Sequence, residues 1–124
     1  MTPANDTKSA YARIAALRSP ATIAALDELT AYTDRNPDPR GADHAETLRR
    51  LQYAYIEAAQ ADGSFYLAQA EESERWAAEA EARALDYPAH ADRYAREAAN
   101  HRLSADRARA MLAEINAPQM KAAA

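Results

Sequence analysis

Small and apolar residues of the C-terminal half fall on two seams. Tyr66, Ala70, Ser73, Ala77, Ala80, Ala84 and Tyr87 are spaced 4-3-4-3-4-3, and so are Tyr94, Ala98, His101, Ala105, Ala108, Leu112 and Ile115. This is the heptad spacing of helices packed lengthwise, and small seam residues let two helix backbones approach closely. Tyr87-Pro88 lies between the seams and predicts a tight turn. The expected arrangement is an antiparallel hairpin in which facing residue numbers sum to about 174–175. Ala77 then meets Ala98, Ser73 meets His101, Ala70 meets Ala105, Tyr66 meets Ala108 and Gly63 meets Leu112. Ala80 meets Tyr94, and Ala84 meets Ala91. Each large residue opposes a small one, as interdigitated packing requires.

The N-terminal third predicts two shorter helices. Tyr11, Ile14 and Leu17 share a face of a helix over Thr7–Arg18. Ser19-Pro20 restarts the chain, because serine caps a helix and proline fits its first position. Ile23, Leu26, Leu29 and Tyr32 line the second helix, which ends near Asp34. Two prolines and a glycine within Asn36–Gly41 predict a loop, placed at 35–43. Asp43 and Glu46 have the spacing of a capping box for a third helix from His44 toward Asp86. Asp62-Gly63-Ser64 resembles a break. At about 100° per residue, however, Leu48, Tyr55 and Ala59 stay in phase with the Tyr66–Ala84 seam. One continuous helix through Gly63 is therefore expected, with the glycine making room for Leu112. The fourth helix runs from Pro88 to about Ile115, where Asn116 and Pro118 are stop signals. Residues 1–6 and 117–124 read as disordered. The fold class is all-α: one domain over 1–124, a long antiparallel hairpin with an alanine-rich seam and two short N-terminal helices packed on it. The Phe65/Trp76 flank and the Leu48–Leu51–Tyr55 stretch are the surfaces expected to receive those two helices.

Composition supports this reading. Thirty-five of the 124 residues are alanine and only two are glycine; the commonest residues are strong helix formers. Alanine supplies more than half of the 48% hydrophobic content, so the core is thin. A net charge of −4 disfavours a globally basic nucleic-acid binder. The absence of cysteine excludes disulfides, thiolate catalysis and Cys-ligated zinc. The first residues lack the pattern of a signal peptide, and no apolar run is long enough to span a bilayer. A cytoplasmic protein without a membrane role is expected. Thirteen arginines against two lysines, with so much alanine, point to a GC-rich bacterial or phage genome.

Candidate chemistry is sparse. His101 follows Glu97 by four residues and His90 follows Asp86 by four, a spacing at which carboxylate and imidazole can share a metal. Yet the Glu-x-x-His motifs of bundle metal sites are missing. His101 reads more simply as a buried histidine bonded to Ser73 across the hairpin. No phosphate loop, His-Glu-x-x-His or Gly-x-Ser-x-Gly motif is present. No enzyme activity, metal or cofactor is expected; a metal-binding bundle enzyme is the most distant alternative.

Surface candidates are better defined. Arg93, Arg96 and Arg107 form a stripe on the last helix that could track phosphates, although interspersed acidic residues suit an ordinary solvated face. Glu71, Glu72, Glu74 and Glu79 give the preceding helix an acidic side, which is either solvated or able to imitate nucleic acid toward a basic partner. Leu103 lies on the back of the last helix, and Leu67 and Leu85 are also off the seam; together they favour a partner surface or a homodimer. The leading expectation is a non-enzymatic protein–protein interaction module, an accessory or inhibitor protein of a larger bacterial or phage complex. A phage-encoded blocker of bacterial defence is an example of that type. The alternatives are a nucleic-acid-binding regulator using the arginine stripe and an acidic nucleic-acid mimic.

Overall fold

The computed structural model describes the backbone of residues 3–38 and 40–123, and side chains over 9–38, 40, 41 and 43–117. Five α-helices follow one another: α1 (Pro3–Leu17), α2 (Pro20–Arg35), α3 (Ala42–Asp62), α4 (Ser64–Asp86) and α5 (Ala91–Ala123). The dominant pairing is α4 against α5, with α2 on α3 and α1 on α4. The all-α hairpin with shorter N-terminal helices packed on it is the architecture. The described backbone is helical into both terminal segments, 1–6 and 117–124, expected to be disordered; residues 1, 2 and 124 of those segments lie outside the described residues. Helix α5 thus continues past Asn116 and Pro118. A proline removes one helical hydrogen bond, and a long helix can continue past it.

The alanine seam is the core. Ala70, Ala77 and Ala80 of α4 and Ala98, Ala105 and Ala108 of α5 are buried. Tyr66, Ser73, Ala84, Tyr94, His101, Leu112 and Ile115 are half-buried beside them, and Tyr87 stands exposed at the turn. The turn is tight: Tyr87 N–H donates to the Arg83 carbonyl at 2.8 Å, and Pro88–His90 form a single 3₁₀ turn. The expected register holds where the glycine reports it. A methyl group added at Gly63 would lie 2.7 Å from Leu112 Cδ1 and 3.8 Å from Ile115 Cγ2. Backbones this close leave no space for larger seam residues. Ala105→Leu is expected to destabilise the protein by about 1–3 kcal/mol through overpacking, read as a lower urea midpoint with an unchanged slope.

Two sequence expectations fail in this region. Ser73 makes no hydrogen bond to His101 among the described residues. The His101 ring instead meets Trp76 edge to face, with centroids 5.4 Å apart. The indole is a far larger contact surface than a serine hydroxyl, and it captures the imidazole. The second correction is Gly63, where the long helix is broken. Its φ of 88° and ψ of −9° place it in the left-handed region, ending α3 and starting α4. The break is built from side chains that are distant in sequence. Asp62 Oδ1 accepts from Ser64 N–H at 2.8 Å, capping α4. Asp62 Oδ2 accepts from Ser19 N–H at 2.8 Å and from Thr22 Oγ1 at 2.6 Å, drawing in the start of α2. Three helix ends therefore share one carboxylate. Thr22 is fully buried in this joint. The Ser64 hydroxyl is buried beside it without a well-formed hydrogen bond, although it adds to the field that favours the Asp62 charge.

The N-terminal helices follow the expected caps in part. Ser19 caps α2 through Thr22 N–H, with Pro20 in the first turn. At the far end of the α2–α3 pair, the Tyr32 hydroxyl and His44 Nδ1 are 3.0 Å apart and the two rings stack. The capping box at Asp43 does not form; α3 begins at Ala42, two residues before the expected His44, after Gly41, whose φ of 102° only glycine adopts freely. The loop is shortened accordingly to 36–41, with Pro39 outside the described residues.

Candidate interaction surfaces

The α4–α5 pair presents two flanks, and side-chain contacts tell them apart. On one flank, ion pairs cross the hairpin: Arg102 to Glu81, and Arg109 Nη2 to Glu74 Oε1 at 3.0 Å. Arg13 of α1 docks on the same side, its Nη2 2.6 Å from Glu71 Oε1. On the other flank, Trp76 meets His101, and Tyr87 meets Tyr94 with centroids 6.3 Å apart. At about 100° per residue, Glu81 and Glu74 lie to one side of the Ala77 direction and Trp76 to the opposite side.

This geometry sorts the sequence-predicted residues. Glu71 and Glu74 are engaged within the molecule, each holding an arginine from another helix. Glu72 and Glu79 are exposed and make no salt bridge among the described residues. The acidic side is thus partly neutralised by its own chain. Arg93 lies over the Tyr94 ring at 4.8 Å, donates to the Tyr94 hydroxyl at 3.1 Å and sits 3.8 Å from Glu97. It therefore belongs to the aromatic flank and not to a free stripe. Arg96 and Arg107 are exposed on the outer side of α5, with no salt bridge among the described residues. Leu103 lies between them in sequence and is 47% exposed. A shallow groove open to solvent is lined there by Ala95, Ala99 and Leu103, with Glu81, Arg102 and Asp106. Leu85 is 83% exposed near the hairpin tip, whereas Leu67 is half-buried.

The flank that sequence reasoning reserved for the N-terminal helices is uncovered at its centre. Trp76 is 47% exposed, and Tyr87 56%. The reason is the side that α1 takes. Its Arg13–Glu71 contact lies on the ion-paired flank, and Ile14 of the same helix is buried. The flank has a signature in the sequence: Phe65, Gln69, Glu72, Trp76, Glu79 and Arg83 form a second 4-3-4-3-4 row on α4, offset from the alanine seam.

Among the described residues, no three His, Asp or Glu side chains gather as metal ligands would. No described helix is long and apolar enough to cross a membrane. Comparison with known proteins finds no matching family, no similar characterised protein and no similar solved structure.

Proposed function

We propose that this chain is a non-enzymatic protein–protein interaction module that binds a larger complex through the outer side of α5. The supporting observation is Leu103. A leucine is half-exposed in a shallow alanine-floored groove, with exposed Arg96 and Arg107 on the same side. Arginine is enriched at protein-binding sites, where a few residues carry most of the affinity. The groove is shallow and open, which suits a helix or a flat surface better than an enclosed small molecule. The partner we propose is a larger bacterial or phage complex, in which the chain acts as an accessory or inhibitor protein.

The test is affinity capture from the native host with the unmodified chain and with Leu103→Glu and Leu103→Met variants. A specific protein retained by the wild type and by Leu103→Met, and reduced at least about tenfold by Leu103→Glu, is the expected result. Circular dichroism of the Leu103→Glu chain should be unchanged, since the residue lies outside the seam. Equal capture by all three chains would reject Leu103 as the contact, and retention of nucleic acid alone with a steep dependence on salt would reject the reading in favour of a phosphate-binding role for Arg96 and Arg107.

A further inference from the structure

The uncovered aromatic flank is distinct from the Leu103 side, and its residues are arranged to complement themselves. We propose that its occupant is a second copy of this chain, packed antiparallel across a two-fold axis near Trp76. Three features carry the proposal: charge order, position of the anchor and area.

Glu72, Trp76 and Arg83 lie within about 40° of one another around α4, by the 100° rotation per residue. Glu72 and Arg83 make no salt bridge among the described residues, although each stands on an exposed stretch. Two identical helices laid antiparallel, with the axis midway between positions 72 and 83, place Arg83 of each copy opposite Glu72 of the other. The symmetry produces that pair twice from one sequence, as an isologous interface requires. Trp76 is then within two residues of the axis and faces position 79 of the other copy, so the two indoles flank the centre of the contact. Large aromatic anchors concentrate binding energy at that position, surrounded by a polar rim. On α5 the same axis level brings the His101 and Tyr94 region of one copy onto that of the other, extending the aromatic centre across both helices. Here the charge pattern favours a second copy over a foreign partner, because Glu72 and Arg83 of the row complement each other twice across the axis, with Glu79 about 60° round the helix from Trp76, toward the edge of the contact.

The area is sufficient. From Phe65 to Tyr87, α4 rises about 33 Å at about 1.5 Å per residue. With α5 roughly 8–10 Å from it, the strip is about 18 Å wide once helix radii are included. Each copy would then bury about 600 Å², or about 1,200 Å² for the pair, at the lower edge of stable specific interfaces. A reversible dimer, sensitive to dilution, is the form this predicts.

The experiment is sedimentation of the full chain over a dilution series, with emission of its single tryptophan followed in parallel. The expected mass rises with concentration from the 13.6 kDa of one chain toward twice that. Trp76 emission should shift to shorter wavelength as it does so. Trp76→Glu and Arg83→Glu should each weaken association by about tenfold or more. The double change Arg83→Glu with Glu72→Arg should bring it back to within about threefold of wild type, since it restores opposite charges on the same row. Leu103→Glu should leave association unchanged, which separates this proposal from the partner-binding reading of α5. A single-chain mass at every concentration, a dimer that survives Trp76→Glu, a charge swap that does not restore binding, or a dimer dissolved by Leu103→Glu would each overturn it.

Discussion

Asp62→Ala is expected to lower the unfolding free energy by about 3–4 kcal/mol, because it strands three hydrogen-bond donors at once. The carboxylate accepts from Ser19 N–H, Ser64 N–H and the buried Thr22 hydroxyl. Two of these donors belong to helix starts, where loss of a cap alone costs about 1 kcal/mol. The third is enclosed and has less access to water. Against a typical stability of about 5–15 kcal/mol, this is a large share, and chemical denaturation will measure it. The carboxylate also makes the joint depend on pH. Burial opposes its ionisation, but the hydrogen bonds from Ser64, Thr22 and Ser19 outweigh burial and lower its pKa from 3.8 to about 2. With the folded value below the unfolded one, the contribution is complete above pH 3.8 and is lost as pH falls through about 2. The difference is worth at most about 2 kcal/mol at roughly 1.4 kcal/mol per pKa unit, reduced by solvent screening of the partly exposed carboxylate. Asp62→Asn cannot titrate. The stability gap between wild type and Asp62→Asn should therefore be larger at about pH 5 than at about pH 2 by that amount. An equal gap at both would show that the carboxylate does not bridge the three helix ends.

Gly63→Ala distinguishes a broken helix from a continuous one by the sign of its effect. In an unbroken helix the substitution stabilises by about 1 kcal/mol. In the observed joint, alanine must adopt a φ of 88°, and its methyl group would stand 2.7 Å from Leu112 Cδ1. The left-handed conformation costs about 1–2 kcal/mol and the overpacking adds about 1–3 kcal/mol. A net loss of about 2–5 kcal/mol is expected, toward the lower end if the Leu112 side chain moves aside. A double-mutant cycle with Leu112→Ala should remove the overpacking share and leave the backbone share. Stabilisation by Gly63→Ala would mean that α3 and α4 are one rod.

The two faces of that glycine mark what the sequence can and cannot reveal. Its neighbour Leu112 was legible, because hairpin register follows from the turn at Tyr87-Pro88 and a seam that alternates large with small. The alanine seam itself was legible for the same reason: a 4-3 row of small residues has few other uses. The break was not. Leu48, Tyr55 and Ala59 keep the phase of the later seam even though the backbone is interrupted, so helical phase is not a test of helical continuity. The group that settles the joint, Asp62, does so through Thr22 and Ser19, some forty residues earlier. No local pattern contains that information. The histidine failed for a related reason. A seam position states which way His101 points, but the choice between Ser73 and Trp76 depends on side-chain reach across the hairpin. The uncovered Trp76 flank was missed because the N-terminal helices needed a surface and two were available. One ion pair, Arg13 to Glu71, accompanies the choice, and exposed pairs of this sort are too weak individually to forecast from sequence.

The alanine core has a thermal consequence. Seven of the nine buried apolar residues among those described are alanine, so melting the protein exposes much peptide backbone and comparatively little hydrocarbon. Hydrocarbon exposure raises the heat capacity of the unfolded chain, while polar exposure lowers it. The heat-capacity increment should therefore be small for a chain of this length. Stability then varies gently with temperature, with a flat optimum and a gradual loss on either side.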